Sequence, residues 1–430
     1  MRFIPIAVCL MVLIFGSALA SNVQETTLDN GLKVLIVENH QVPQVNISTT
    51  IMAGAKNETD YFDGATHLLE HLILFRGTEK MTGEQVGAAM TSHGAYFNGY
   101  TSQDWTDFVI SLPKENLEFA LQIHSDMLFR SNFPDKEMAK EKQVVIEEIN
   151  ITEDNPTNKA YRSSLATLFG DHPYAKNVLG TKENVAGIPR DSVYAYYKRF
   201  YAPNNMTTVI VGDVDPAATL ELVKKYFGSI PSGTTPHDNY VPPPKRDRID
   251  EIVIKKDVGQ AYLLMMSIGP KADSPDQFPL DIMATLLGGG ESSRLYKKLK
   301  DELGLVYSIG YGFQTSKYEG KLLANAALDP ANIDKVEKAI VDVLDDVKKN
   351  GFTERELRKA KNVIKTNHYA SLERGLNLAD NYAQYDSFIG YEFVDNYAGN
   401  IEKVSLARLN DAAREYLNTD SYVKTMVVPK

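Results

Sequence analysis

Two histidines and a glutamate within five consecutive residues are the first feature of this sequence that could carry chemistry. In the segment HLLEH, His67 and His71 are four positions apart and Glu70 follows the first histidine by three. On a helix, residues i and i+4 lie one above the other, so both imidazoles can bind one metal ion. Glu70 lies on an adjoining part of the same face, within reach of a water on that metal. The alternative is a half-buried amphipathic helix with a solvated glutamate, but the scarcity of histidine, eight in the chain, favours the metal site.

A second acidic helix offers the third protein ligand that a catalytic zinc site needs. The segment EKQVVIEEIN contains three glutamates, and Glu141 and Glu148 are two helical turns apart and share a face, whereas Glu147 points elsewhere. A solvated acidic face would explain this helix if it stood alone. A sequence repeat within the chain favours the interpretation of these glutamates as groups of a metal site.

The elements that must position these side chains occur in two similar halves. FPDKEMAKEKQVVIEEIN, from Phe133, aligns with FTERELRKAKNVIKTNHY, from Phe352, and RFYAPNNMTTVIV resembles REYLNTDSYVKTMVV further along each half. Two matched pairs in the same order indicate a duplication. Ala360 and Asn367 stand in the second half where the first has Glu141 and Glu148, so the carboxylates occur only beside the histidines.

Strand and helix signals are mixed within each half, which predicts two copies of an α+β fold, one in each half. β-branched residues and two-residue periodicity predict strands at residues 31–39, 45–54 and 207–215. The Pro-, Gly- and polar-rich residues 229–248 predict a linker. We therefore expect a first domain at residues 21–228 and a second at 249–430.

The first twenty residues predict a secretory signal peptide. Arg2 precedes an apolar run at residues 3–15, and Ala18-Leu19-Ala20 matches a small-x-small cleavage site. The run is too short to favour a stable membrane span, although an uncleaved anchor is the alternative. Cys9, the single cysteine, lies inside this segment, so a cleaved chain has no disulfides. We expect an exported protein, periplasmic in a bacterium, with secretion or a signal anchor as alternatives.

Composition is ordinary for a soluble globular protein and excludes one functional class. The chain has 430 residues, 43% of them hydrophobic and 24% charged, which is enough for more than one core. Its net charge of -10 argues against nucleic-acid binding, which requires a basic surplus.

The chain resembles the pitrilysin/insulinase metallopeptidases, which carry an inverted zinc motif, HxxEH. Within them it is similar to the short two-domain branch that includes mitochondrial processing peptidase and bacterial processing-type peptidases. The family places a glutamate 77 positions after the second histidine and another seven before that, and Glu148 and Glu141 match both. A GT pair follows the motif, here Gly77-Thr78.

The resemblance implies a fold and a set of roles. It implies two homologous domains, each a mostly antiparallel sheet packed with helices, that enclose a chamber, with one Zn²⁺ per chain. His67, His71 and Glu148 would be the zinc ligands, Glu70 the general base, and Glu141 a support for a ligand histidine.

A further family segment, N-A-x-T-x-x-D-x-T, matches NGYTSQDWT with glycine in place of the alanine. The resemblance implies that this is an edge strand on which an extended peptide pairs by β-augmentation. The residues implied in substrate binding are Asn98, Gly99, Tyr100 and Thr101.

The second half carries the family segment LLGGGESSRLYKKLKDELGLVYS. The evidence for a phosphate-binding loop is weak because no GK[ST] follows the glycines. The family has an arginine and a tyrosine seven residues apart that reach the substrate near the zinc. Tyr307 matches the tyrosine, but Lys300 stands at the arginine position and lacks the bidentate fork of arginine.

Two functions follow from these observations. The favoured one is an exported zinc endopeptidase that acts on peptides or unfolded protein segments, without nucleic-acid partners and without stable membrane insertion after signal cleavage. The alternative is a weakly active or non-catalytic subunit of a hetero-oligomeric peptidase. The resemblance further implies a homodimer or a heterodimer with a related chain.

Overall fold

The computed structural model describes residues 23–58, 63–234 and 240–430. The predicted signal peptide lies outside these ranges. The described residues form two β-sheets, one in each half of the chain, with helices packed on both faces of each sheet.

The sheet of the first half has six strands in the order β1-β2-β6-β3-β5-β4. Only β2 and β6 are parallel neighbours, and every other pair is antiparallel. The strands are β1 Val23–Thr27, β2 Lys33–Glu38, β3 Gln44–Ile51, β4 Tyr96–Thr101, β5 Thr106–Pro113 and β6 Met206–Gly212.

The sheet of the second half repeats this topology without a counterpart of β1. Its order is β7-β11-β8-β10-β9, with β7 and β11 parallel and the rest antiparallel. The strands are β7 Asp250–Lys256, β8 Ala261–Gly269, β9 Val306–Gln314, β10 Gly320–Leu328 and β11 Val423–Pro429. The prediction of two homologous α+β halves is confirmed, and β4 and β9 occupy equivalent edges.

The helices of each half cover mainly one face of its own sheet. Those of the first half are α1 Ala65–Phe75, α2 Gly83–Ser92, α3 Leu117–Phe129, α4 Asp135–Asp154, α5 Pro156–Phe169, α6 Lys182–Gly187, α7 Arg190–Phe200 and α8 Pro216–Phe227. Those of the second half are α9 Gln277–Gly288, α10 Ile333–Asn350, α11 Glu354–Leu372, α12 Gly375–Asp386, α13 Glu392–Lys403 and α14 Leu406–Tyr416. A short π-helix spans Tyr296–Glu302.

The other face of each sheet is covered by a helix from the opposite half. Because strand side chains alternate between faces, β6 sends Ile210 toward its own helices while Val209 and Val211 pack against α12. In the second sheet, Met266 and Val423 pack against α5. Each half therefore completes the core of the other. The domain boundaries at 21–228 and 249–430 stay a prediction, and the described part of the predicted linker forms neither helix nor strand.

A turn between β9 and β10 also ties the halves together. The Tyr174 hydroxyl donates to both carboxylate oxygens of Asp104 at 2.7 Å, and Asp104 lies in the turn after β4. From the second half, the backbone N–H of Lys317 donates to Asp104 and that of Tyr318 donates to Tyr174, both at 3.1 Å. The turn that follows β4 is thus bound directly to the second half.

None of the helices in the described ranges is both long enough and apolar enough to cross a lipid bilayer.

Candidate metal centre

Helix α1 carries the HLLEH segment and packs against α4 and β4. Its N-cap residue, Gly64, has no side chain to cap the helix, and Glu58 takes over this task. The Glu58 carboxylate accepts hydrogen bonds from the backbone N–H groups of Gly64 at 2.7 Å and Thr66 at 2.8 Å. Burial raises the pKa of Glu58 to about 8, while these two bonds act in the opposite direction. The carboxylate fixes the start of the helix at Ala65, two residues before the first histidine.

Three donor groups converge between α1 and α4. His67, His71 and Glu148 each offer a ligand atom, and these atoms all lie within 4.8 Å of one another. The Oε2 atom of Glu148 lies 3.7 Å from Nε2 of His67 and 3.5 Å from Nε2 of His71. Ligands of a tetrahedral zinc ion with bonds of 2.0–2.1 Å are about 3.3 Å apart. The spacing therefore suits one ion better than hydrogen bonds among the three groups.

The protonation of His67 fits the same interpretation. Burial, followed by the nearby charge of His71, lowers the pKa of His67 to about 4, so its imidazole is neutral. Neutral imidazole is the form that coordinates a metal. In the described chain, the buried Nδ1 atom of His67 has no hydrogen-bond partner. Two imidazoles and one carboxylate form the donor set of a catalytic zinc site with one position left for water.

Glu141 holds the second histidine in the orientation that this site requires. Its Oε1 lies 2.7 Å from Nδ1 of His71, which leaves Nε2 of that ring facing Glu148. Burial acts to lower the pKa of His71, but the carboxylates of Glu141 and Glu148 outweigh burial and raise it to about 9. Without a metal this ring is therefore protonated, and metal binding would release its Nε2 proton. Such a carboxylate partner fixes the tautomer and ring orientation of a metal-binding histidine.

Arg76 in turn forms an ion pair with Glu141, a contact that the sequence did not predict. Nε and Nη2 of Arg76 both contact Oε2 of Glu141, and Nη1 lies 3.5 Å from Glu137. Glu141 is 1% exposed, so its charge needs this partner. Arg76 follows α1 directly, and nothing in its spacing distinguishes it from other arginines.

Glu70 lies beside the three donors but is held by β4. The Thr101 hydroxyl donates to Oε2 of Glu70 at 2.6 Å. A Cβ atom on Gly99 would lie 2.9 Å from Oε1 of Glu70, so the absence of a side chain at this position leaves space for the carboxylate. Burial raises the pKa of Glu70, and the hydrogen bond from Thr101 lowers it. The carboxylate is therefore oriented by the strand while it stays next to the metal ligands.

The predicted substrate strand lies at an edge of the sheet. β4 pairs with β5 and has no strand partner on its other side within the described residues. Alternation along β4 sends Gly99 and Thr101 toward α1, and Asn98 and Tyr100 toward the opposite face. The edge position agrees with the expected geometry, whereas peptide binding by these four residues stays a prediction.

Lys300 and Tyr307 make no direct polar contact with the three metal donors within the described residues. Nζ of Lys300 lies 4.9 Å from the ring centre of Tyr296, within the π-helix. Tyr307 lies near the start of β9 and is 56% exposed. Between either residue and the three donors, no hydrogen bond or ion pair occurs in the described part of the chain. Their catalytic roles stay predictions.

Two protein-family models match successive parts of the chain. The model of the insulinase family, peptidase family M16, matches residues 33–182, and the model of the peptidase M16 inactive domain matches residues 187–364. The second match begins with the last helices and strand of the first half, continues into the second half as far as α11, and does not include the histidine motif.

Relatives and solved structures match over nearly the whole chain. YmxG of Bacillus subtilis, an uncharacterized zinc protease, is 27% identical over 95% of this chain and 98% of its own. Zinc protease ML0855 of Mycobacterium leprae is 28% identical over 94% of this chain and 91% of its own.

Two crystal structures have the same fold. A protease from Helicobacter pylori has a TM-score of 0.89 and 26% identity, over 95% of this chain and all of the other. An M16-like peptidase from Alicyclobacillus acidocaldarius has a TM-score of 0.84 and 25% identity, over 96% of this chain and 99% of the other. With the duplicated topology and the HxxEH helix, these matches show that the chain belongs to the insulinase family of zinc proteases, peptidase family M16, as a member with two domains.

Proposed function

We propose that the chain is a zinc-dependent endopeptidase that hydrolyses peptides or unfolded protein segments. The observation that carries this proposal is the convergence of His67, His71 and Glu148, whose donor atoms lie within 4.8 Å of one another, beside a buried glutamate. These three residues would hold a zinc ion, which would supply Lewis-acid chemistry for activation of a water and of the scissile carbonyl. The remaining chemistry belongs to side chains of this chain.

Glu70 is the general base in this proposal. Its Oε2 is engaged by Thr101, which leaves Oε1 to take a proton from the attacking water and pass it to the leaving amine. Glu141 keeps Nδ1 of His71 occupied, so that Nε2 is the metal-binding atom. Arg76 compensates the buried charge of Glu141.

Substrate binds along the outer edge of β4 in this proposal. An extended peptide that pairs with residues 98–101 runs next to Glu70, because Thr101 belongs to the strand and contacts this carboxylate. Recognition of main chain more than side chains gives loose sequence specificity. The sequence of residues 1–20 supports export, with a bacterial periplasm as the compartment.

A weakly active or non-catalytic subunit of a hetero-oligomer is the second candidate. Two observations on the second half favour it. Lys300 stands at the position of the family arginine, and within the described residues no hydrogen bond joins Tyr307 to the metal ligands. In the active enzyme Tyr307 would hydrogen-bond the carbonyl oxygen as charge develops on it. Such an enzyme needs the second half to approach the bound peptide.

Metal analysis and peptide hydrolysis on the purified chain from residue 21 onward distinguish the two candidates. We expect one zinc per chain in the wild type and in Glu70→Gln, and a loss of hydrolysis of roughly 10²- to 10⁴-fold in Glu70→Gln. Glu147→Gln, the same change on α4 beside the ligand, is the matched control and should keep both properties. Zinc without hydrolysis of any peptide pool would favour the subunit, and absence of zinc would contradict both the metal centre and the peptidase.

A further inference from the structure

The second half contains a cavity among the elements that correspond to those of the metal centre. A cavity of about 440 Å³ lies between α9, α11 and β9. β9 occupies the same sheet edge as β4, and α11 is the sequence repeat of α4. Asn367, the counterpart of Glu148, lines this cavity. The second half thus has a cavity at the position that corresponds to the metal centre, but different side chains line it.

Asp281 of α9 places a carboxylate on the wall of this space. The cavity adjoins a second one of about 250 Å³, and four residues line both: Asp281, Phe313, His368 and Tyr397. Oδ2 of Asp281 accepts a hydrogen bond from the Tyr397 hydroxyl at 2.8 Å. Burial raises the pKa of Asp281 to about 7, with only this hydrogen bond acting against it.

Asp281 forms no ion pair with any cationic side chain in the described part of the chain. His368 faces the same space, but burial lowers the pKa of its imidazole, so it contributes no positive charge at neutral pH. A desolvated carboxylate that has a hydrogen bond but no cationic partner is costly in its ionised form, and a cation bound from outside would offset that cost.

Aromatic rings form much of the remaining wall. Tyr385 and Phe393 line the smaller cavity with ring centres 4.7 Å apart, and Phe393 and Tyr397 are 5.7 Å apart. Tyr311 and Phe313 of β9 line the larger one. Aromatic faces attract organic cations, and a guanidinium group can stack on a ring while it donates two hydrogen bonds to a carboxylate.

A metal ion fits this space less well than an organic cation. Asp281 and His368 are two potential donors, and the described residues contain no third histidine, cysteine or acidic ligand grouped with them. A neutral ligand would leave the carboxylate uncompensated. The carboxylate and the rings together select a positive charge on an organic group.

We propose that this space, the cation site, binds the guanidinium or ammonium group of a basic peptide side chain, with Asp281 as its counter-ion. The inference rests on the proposed function because it makes the peptide a substrate that is also held by the second half. Peptides with a basic residue at a suitable distance from the cleaved bond are then the preferred substrate class.

Binding of N-acetyl-arginine amide tests the cation site without hydrolysis. Isothermal titration to the chelator-treated, metal-free chain should show saturable binding of the arginine amide. The citrulline amide, which has the same shape without the charge, should bind at least tenfold more weakly. Asp281→Asn should lower the affinity for the arginine amide at least tenfold, and Asp273→Asn, an exposed aspartate on the preceding turn, should leave it unchanged.

Equal binding of the two amides, full affinity in Asp281→Asn, or no binding of the arginine amide would each overturn the cation site. In hydrolysis, the ratio of kcat/KM for an arginine peptide to that for its citrulline twin should be at least fivefold, and should fall to about one in Asp281→Asn. Selective binding without hydrolysis would defeat only the peptidase proposal. Hydrolysis without selective binding would defeat only the cation site.

Discussion

At the scale of single residues, the metal centre depends on a chain of contacts behind the ligands. Glu148 and the two histidines supply the donors, but His71 is oriented by Glu141, and Glu141 is held by Arg76. The carboxylate of Glu141 is almost fully buried between a ring and a guanidinium group. Its position therefore depends on a residue that touches no metal and no substrate.

Replacement of Arg76 by glutamine tests this dependence. Glutamine removes the charge that compensates Glu141, so that the carboxylate shifts or protonates and His71 loses its fixed orientation. We expect zinc affinity to fall roughly 10- to 100-fold, the range found when such supporting groups are lost. Competition for zinc with a chromophoric chelator measures the affinity.

Arg294→Gln is the matched control for this prediction. Arg294 forms a comparable pair with Glu356, with Nε 2.8 Å from Oε1, but it lies in the second half. Zinc affinity should stay at the wild-type value in this variant. An unchanged affinity in Arg76→Gln would show that Glu141 orients the histidine without the arginine.

How far the site could be predicted from the sequence differs from residue to residue. The spacing of the HLLEH segment predicted two donors from the sequence alone, because helical periodicity is a local property. The choice of Glu148 as the third donor rested on the family resemblance, and the fold brings all three together. The role of Arg76 depends on how α1 crosses α4, and no local pattern encodes that crossing. Glu58 was missed for the same reason, since its capping contacts follow from a loop path.

At the scale of elements, β4 is the strand that, in the proposed enzyme, would bind the peptide next to Glu70. Its two-residue alternation sends Thr101 to Glu70 and leaves the backbone edge open. The sequence predicted an edge strand but could not show which of its faces meets α1. A shift of register by one residue would direct Tyr100 at the carboxylate instead.

Replacement of Thr101 by valine removes one hydrogen bond and keeps the shape. A hydrogen bond to a charged group contributes about 1.5–3 kcal/mol, so we expect kcat to fall roughly tenfold or more while zinc content stays unchanged. The bond lowers the pKa of Glu70 against the effect of burial, so its loss raises that pKa further. The base must be ionised, and the acid limb of the kcat/KM profile should therefore move to higher pH.

Thr27→Val on the exposed outer strand β1 is the control for the Thr101 variant, and its rate and pH profile should match the wild type. A Thr101→Val enzyme with unchanged kcat and an unchanged acid limb would remove the threonine from the catalytic arrangement. Loss of zinc in this variant would point to a structural effect instead.

At the scale of the whole molecule, the exchange of α5 and α12 makes the halves interdependent. Val209 and Val211 lie under a helix that belongs to the other half. The duplication and the two sheets were predictable from repeated sequence, but the exchange was not. An apolar residue in a strand predicts that its face of the sheet is covered, but it does not predict which helix covers that face.

Expression of residues 21–234 alone tests this interdependence. The isolated half lacks α12 and exposes one apolar face of its sheet, so we expect aggregation or binding of the dye ANS instead of a cooperative unfolding transition. Co-expression with residues 240–430 should restore a soluble complex. A monomeric isolated half with a cooperative transition would contradict the prediction.

Replacement of Tyr174 by phenylalanine tests the contact between the two turns. The variant loses the hydroxyl that joins Asp104 to the backbone of the second half. Loss of a partner for a buried polar group costs about 1–3 kcal/mol, and urea denaturation should show a decrease of this size. Tyr226→Phe removes an exposed hydroxyl within the first half and should change stability by less than about 0.5 kcal/mol.

The exchange of helices also has a consequence for the order in which the chain is synthesised. β6 completes the first sheet at Gly212, but the helix that covers its second face begins only at Gly375. At 5–20 residues per second, a ribosome needs roughly 10 to 30 seconds to translate the intervening stretch. Until that helix has been made, the first half lacks the cover for one apolar face of its sheet, so its core cannot be completed ahead of the rest of the chain.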